Sequence, residues 1–400
     1  MMKMRPTLPV LGKKCCSCGL CVAKCSKKAI TMELDELGFL RPFVDSTKCV
    51  GCRLCEQFCE LHKPAEQEHS ISCFASYSKN DSVRKSSSSG GIAHELAKSV
   101  VSQNGLVCGV LMNDKLEARY TIARTLEELS MLQGSKYMQA DASEVYDLLK
   151  TELKSGRVVL FIGLPCLVQA VKTLCSGKNA RFLYTVDVAC HGVPSVNMFN
   201  AYVRDLKETY GDIKTFQFRD KTHGWRAYEM KVNDTCIVNS KNDFKTMFLS
   251  NFGLNDACYE CKYDVSKRAS DISLGDCWER NDRGEADFLG VSSVVIHTDK
   301  GKELFDSVKA DVETETLNPE ILFSNTGMRK QTRVVPHWNR DFLTLCRTAN
   351  LSACKSVFYA WWGTERWGKK ILNHYFMFPR ILQYAICLIF RTVKSSLNRK

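Results

Sequence analysis

The sequence predicts a multidomain chain of two kinds, a small α+β module at the amino end and a larger α/β body with a largely parallel sheet. Three observations predict this. Eight of the cysteines before residue 60 repeat one spacing twice. From about Ile71 onward, short apolar runs alternate with segments of helical spacing. Finally, 400 residues exceed what one hydrophobic core usually organises.

The module comes first. Cys15, Cys18, Cys21 and Cys25 read C-x2-C-x2-C-x3-C, and Cys49, Cys52, Cys55 and Cys59 repeat the pattern 34 residues later. Three thiolates at this spacing wrap one corner of an iron–sulfur cubane. The fourth starts a helix that carries it to the other cluster, as in bacterial dicluster ferredoxins. The expected ligand sets are therefore crossed. Cys15, Cys18, Cys21 and Cys59 hold one 4Fe–4S cluster, and Cys49, Cys52, Cys55 and Cys25 hold the second. Zinc prefers two separated pairs closing one tetrahedron, so two crowded quartets favour clusters. Ser26 and Glu60 stand where a proline usually follows the fourth cysteine. Cys16 competes with Cys15, but only Cys15 keeps the register. Ala29–Met32 and Phe39–Val44 read as short strands flanking a turn at Gly38. The module is expected over residues 1–66 and a linker over 67–84, following the polar stretch His62 to Ser70.

The body follows, in two parts placed at 85–155 and 156–335. Leu106–Met112 is apolar enough for a buried strand, and Val145–Lys154 has helical spacing with a stop at Gly156. Val158–Ile162, Leu167–Leu174 and Leu183–Val188 then read strand, helix, strand, which implies a right-handed crossover and parallel strands. Cys166 and Cys190 each lie just past one of those strands, at the carboxyl edge where α/β folds build sites. With the C-x2-C pair Cys258 and Cys261 they make four ligands, enough for a third 4Fe–4S cluster, though zinc suits a Cys-only set as well. The remaining cysteines, Cys236 among them, show no ligand spacing and read as packing.

Composition narrows the class. Hydrophobic content of 44% and charged content of 25% are ordinary for globular protein, which excludes a disordered or fibrous chain. Twenty-one cysteines with no apolar leader in Met1 to Lys14 argue for a reducing, cytoplasmic setting. The net charge of +12 is concentrated at the end, with no acidic residue after Glu365. The tail placed at 336–400 is basic and aromatic. Its segment 361–400 reads either as peripheral contact with the inner membrane face or as a helix packed on the protein itself. A nucleic-acid partner is not expected.

Further motifs stand in order: Ser87-Ser88-Ser89-Gly90-Gly91, Gly134-Ser135-Lys136-Tyr137, Gly163-Leu164-Pro165-Cys166, Cys190-His191-Gly192, Arg219-Asp220-Lys221 with Gly224-Trp225, and Gly275-Asp276-Cys277-Trp278. This set resembles the beta-subunit family of coenzyme F-420 (deazaflavin) hydrogenases and dehydrogenases, in members with an amino-terminal two-cluster ferredoxin domain. Leu167 departs from it, where the family often has glutamine. The resemblance implies a flavin-binding body with FAD and a third cluster on Cys166, Cys190, Cys258 and Cys261. It also implies that the Ser–Gly loop and the Lys136 loop hold the flavin.

Those roles are chemically reasonable. Ser87, Ser88 and Ser89 offer hydroxyls beside a helix start, and Gly90 and Gly91 would let a pyrophosphate approach the backbone. Lys136 would neutralise phosphate or reduced flavin, Arg219, Lys221 and Trp225 would clamp or stack on a cofactor, and Asp276 would fix a ribose hydroxyl or ring nitrogen. No catalytic acid–base pair stands out; His191 is more readily structural than a proton relay. Clusters plus flavin convert single electrons into two-electron chemistry. The expected protein is thus an FAD-dependent iron–sulfur oxidoreductase. Its partners would be ferredoxin or another redox protein and a small-molecule acceptor or donor, either deazaflavin or another metabolite. The alternative is a non-flavin electron-transfer subunit docked on a partner enzyme.

Overall fold

The structure is a computed structural model that describes residues 14–59, 72–278, 288–320, 333, 335–336 and 338–359. In the amino-terminal module, β1 (Ile30–Leu34) and β2 (Leu40–Val44) pair antiparallel. Short helices at Leu20–Lys24 and Leu54–Gln57 follow the two cysteine loops. The sequence repeat is reproduced in the backbone. Ser17 and Gly19 take positive φ (60° and 71°), and so do Gly51 and Arg53 (74° and 60°), 34 residues on. Left-handed backbone costs a non-glycine residue about 1–2 kcal/mol, so its recurrence at Ser17 and Arg53 marks a loop shape that both halves require.

The module is fastened to the body. Leu20 is buried among Tyr146, Leu149 and Val168 of the body, and the Tyr146 hydroxyl donates to the Cys18 carbonyl. Arg41 Nη2 donates to Asn255 Oδ1 at 3.3 Å, and Leu40 N to Gln139 Oε1 at 2.7 Å. The turn at Gly38 (φ 79°) admits no side chain, because a Cβ there would sit 2.6 Å from Asn197 N.

The body is built on nine strands. Its first six are β3 (Ser72–Ser78), β4 (Leu106–Met112), β5 (Ala118–Ala123), β6 (Ala140–Asp141), β7 (Val159–Gly163) and β8 (Leu183–Val188). A separate three-stranded sheet, β9 (Phe216–Asp220), β10 (Glu229–Val232) and β11 (Thr235–Ile237), intervenes before β12 (Ile272–Asp276), β13 (Ser292–Ile296) and β14 (Val312–Thr316). The large sheet runs β14-β3-β13-β12-β8-β7-β4-β5-β6.

Three expectations are corrected here. The sheet is mixed, not largely parallel: β12-β8-β7-β4 and β5-β6 pair parallel, whereas β14-β3-β13-β12 and β4-β5 are antiparallel. Apolar runs give strands but not their direction. Second, the supposed linker contains β3 and the start of the helix Asp81–Ser86, because alternating small residues, Cys73 and Ala75 inward, suit a strand buried between β13 and β14. Third, the tail begins later than expected. Phe342, in the helix Asn339–Cys346, and Phe358 both pack edge-on against Phe252, at 4.8 and 5.2 Å between ring centres, so they belong to the body's core. The membrane reading of 361–400 lies outside the described residues. Among the described residues no helix is long and apolar enough to cross a membrane.

Candidate functional site

Strands β7 and β8 are parallel neighbours, with Gly163 opposite Asp187. Cys166 sits in the first turn of the helix Pro165–Leu174, where Pro165 fits because its missing N–H would have no partner there. Cys190 follows β8, and Cys258 lies in the short helix Asp256–Tyr259, capped by the Asn255 side chain. These thiols gather at the sheet's carboxyl edge. A hydrogen bond with Cys16 is the largest influence raising Cys166, then burial, then the proximity of Cys190 and Cys261. Burial pushes Cys190 up to about 11, with Cys261 adding to it. Burial also raises Cys258, reinforced by Cys190 and Cys261.

The module's thiols lie close across the two loops, with Cys21 near Cys55 as well as Cys59. Burial pushes Cys15 up to about 11 and Cys21 up to about 12, and Cys59 contributes to both. Burial likewise pushes Cys55 up to about 11, with Glu56 and Cys25 contributing. Cys59 thus lies near the first loop and Cys25 near the second. Cys49 is half-buried and Cys52 exposed in the second loop. Each of the three groups receives an amide: Ser17 N to Cys15 Sγ (3.4 Å), Ala29 N to Cys25 Sγ (3.3 Å) and Val193 N to Cys258 Sγ (3.3 Å). Amide donors on sulfur are among the features that set cluster potentials.

Cys16 has a larger place than its sequence position suggests. Hydrogen bonds from Cys166 and Cys18 hold its thiol well below the usual cysteine range. It therefore stands between a cysteine of the first loop and one of the sheet-edge set. Only the docking of module on body reveals this, since in the sequence it looks like a surplus neighbour of Cys15.

A cavity of about 460 Å³ opens beside these thiols, and Cys16, Cys166 and Cys190 form part of its wall. That volume lies within the range of ligand pockets, about 300–1,000 Å³. Ser87, Ser88, Ser89 and Gly91 line it elsewhere, together with the start of the helix Ile92–Ser102. The first turn of any helix presents backbone N–H groups without intrahelical acceptors, a natural anion seat. The two loops named from sequence meet: Ser135 N and Oγ both bond Ser88 Oγ, at 2.7 and 2.8 Å. Lys136 lines the cavity while Nζ donates to the Leu132 and Gln133 carbonyls, and burial lowers it to about 8.

Arg219 and Asp276 form another part of the wall. Arg219 Nη1 donates to Asp276 Oδ2 at 2.8 Å, and Trp225 Nε1 reaches Asp276 Oδ1 at 3.3 Å. Arg219 Nε and Nη2, and Nδ1 of the cavity residue His94, are buried without a protein partner. Orphaned polar atoms on residues of a cavity wall fit a polar or anionic ligand, because leaving them unpaired costs about 1–3 kcal/mol each. His191 Nε2 meets the Phe248 carbonyl at 3.0 Å, and burial lowers it to about 4, so it is neutral near pH 7.

Three sequence candidates do not line the cavity. Lys221 is buried and donates to the carbonyls of Arg84, Ser89 and Leu289 at 2.6–2.8 Å. It holds the Ser–Gly loop from behind. Gly90 allows close approach of strands, not of a ligand: its Cβ would lie 2.6 Å from the Ser76 carbonyl and 2.8 Å from Ser292 N. Trp225 is buried and stacks on Trp278 at 4.5 Å. Trp278 is the ring that reaches the cavity, and nothing in Gly275-Asp276-Cys277-Trp278 distinguishes it.

No curated protein matches the chain. A chain in the solved structure of the F420-reducing NiFe hydrogenase complex from Methanosarcina barkeri (a xenon derivative) is 21% identical. That match covers 63% of this chain and 84% of the other, with a TM-score of 0.46. The family described as the beta subunit of coenzyme F420 hydrogenase/dehydrogenase matches in both its halves, the N-terminal one at residues 73–147 and the C-terminal one at residues 156–320. Together the two segments take in more than half of the 400 residues. The chain therefore belongs to the coenzyme F420 hydrogenase/dehydrogenase beta-subunit family.

Proposed function

We propose that the protein is an iron–sulfur flavoprotein oxidoreductase, exchanging electrons between a redox-protein partner such as ferredoxin and a small two-electron substrate. One observation carries this reading. The wall that holds Cys166 and Cys190 is shared with an open helix start and with the unpaired donors of Arg219. Sites for one-electron carriers thus adjoin a seat for an anionic cofactor.

The ligand roles follow the groupings. Cys15, Cys18, Cys21 and Cys59 would hold one 4Fe–4S cluster, and Cys25, Cys49, Cys52 and Cys55 the second. Cys166, Cys190, Cys258 and Cys261 would hold a third. FAD, when bound, supplies exchange between one-electron and two-electron chemistry. The chain's residues do the rest. Ser87, Ser88 and the first turn at Ile92 receive phosphate through hydroxyl and backbone donors, while the Ser89 hydroxyl is held by the Val291 carbonyl at 2.8 Å. Lys136 supplies positive charge beside them. Asp276 aims Arg219, whose free N–H groups then bond an acceptor within the cavity. Trp278 offers a ring face, backed by Trp225. The substrate is a deazaflavin coenzyme or another small metabolite able to reach this cavity.

The test is a reductive titration of anaerobically purified protein, followed by visible absorption and electron paramagnetic resonance. The reading expects about five electrons per chain, one for each cluster and two for the flavin. Uptake of three or fewer, without flavin absorption, would overturn the flavoprotein reading in favour of an electron-transfer subunit that docks on a partner enzyme.

A further inference from the structure

The small sheet gathers metal-type donors apart from the cluster cysteines. In β10, Glu229 stands opposite Asp220 of β9, and Lys231 stands opposite Cys236 of β11. The register shifts between Glu229 and Lys231. Such bulges re-aim side chains. His223 comes from the turn after β9, which the Asp220 carboxylate shapes by accepting from Thr222 N at 2.8 Å. His223 Nδ1 lies 2.8 Å from Glu229 Oε2. One donor atom each of His223, Glu229 and Cys236 all fall within 4.8 Å of one another, and the Cys236 thiol reaches Asp220 Oδ1 at 3.5 Å.

We propose that His223, Glu229 and Cys236 form a zinc site, with water completing the tetrahedron. Imidazole nitrogen, carboxylate oxygen and thiolate sulfur are the three donor types that zinc accepts, whereas magnesium and calcium select oxygen alone. Charge supports the set. Zn²⁺ with one thiolate, one carboxylate and a neutral imidazole sums to zero, which suits a position where Glu229 is only 9% exposed. His223 is on the exposed side, which provides an entry path. Lys231 lies 3.9 Å from Asp220 Oδ2, which favours Glu229 over Asp220 as the carboxylate ligand. The site also has a place in the architecture. Asp220 and Glu229 immediately adjoin Arg219 and Tyr228, both in the cavity wall, where the guanidinium sits 4.1 Å from the Tyr228 ring centre. A metal joining the turn after β9 to β10 and β11 would fix the segment that presents these two residues.

The experiment uses the full, iron-loaded chain, purified anaerobically, given one equivalent of zinc chloride and desalted. Zinc per chain is counted and the zinc K-edge absorption fine structure recorded. About one retained zinc, with a single sulfur near ~2.3 Å and nitrogen or oxygen near ~2.0 Å, is expected. His223→Ala and Cys236→Ser should each weaken zinc binding at least about ten-fold with iron content unchanged. The exposed position of His223 means that its replacement leaves the fold intact. Failure to retain zinc, a shell with two or more sulfurs, or affinity unmoved by both variants would each overturn the site.

Discussion

Arg219 Nη1 donates to Asp276 Oδ2 at 2.8 Å, leaving Nε and Nη2 of the same guanidinium buried and unpaired beside the cavity. Asp276 thus holds Arg219, and in the proposed function the free N–H groups of Arg219 meet the ligand. Hydrogen bonds to a charged group contribute about 1.5–3 kcal/mol, or roughly ten- to a hundred-fold in affinity. Arg219→Met is expected to weaken FAD binding by that factor, as measured by titrating flavin-stripped protein. Affinity equal to that of the unsubstituted protein would show that the guanidinium faces no ligand.

Lys136 gives a pH dependence. Burial lowers its ammonium to about 8, so the side chain is charged below that pH and neutral above it. A cation favours an anionic cofactor, and a neutral amine does not. FAD affinity should therefore fall as pH rises from about 7 to about 9, and Lys136→Met should flatten that profile. A profile equally steep in the variant would assign the dependence elsewhere.

Cys16 tests the division between ligand and neighbour. It lies in hydrogen-bond contact with Cys18 and Cys166 yet belongs to neither quartet. Cys16→Ala should keep the full iron content, whereas Cys166→Ala should lose about a third of it, one cluster in three. Iron analysis of the two variants decides this, and equal losses would make Cys16 a ligand.

The seam between module and body is equally open to test. Leu20 is 1% exposed and buried among body residues, so Leu20→Ala should cost about 2–5 kcal/mol. The readouts are a lower melting temperature and earlier proteolytic release of the module. An unchanged melting temperature would mean that the module is held by its polar contacts alone.

What can be read from sequence is what depends on local spacing. The cysteine register, the stop at Gly156 and the β7–helix–β8 crossover are all of this kind. Strand direction is not, which is why Ile272–Asp276 and Ser292–Ile296 do not disclose their antiparallel pairing. Neither is the direction in which a polar group faces. Lys221 and Gly90 look like ligand-binding residues in a motif, but three carbonyls and a neighbouring strand claim them. Cys16, His94 and Trp278 escape a sequence reading for the converse reason, since only tertiary packing brings them to the cavity.

The most direct test of the central claim is joint quantification of iron, acid-labile sulfide and releasable flavin in protein purified without oxygen. About twelve irons, about twelve sulfides and one FAD per chain are predicted, from three four-iron clusters beside one flavin. Protein that is colourless, free of sulfide and free of flavin would contradict the account.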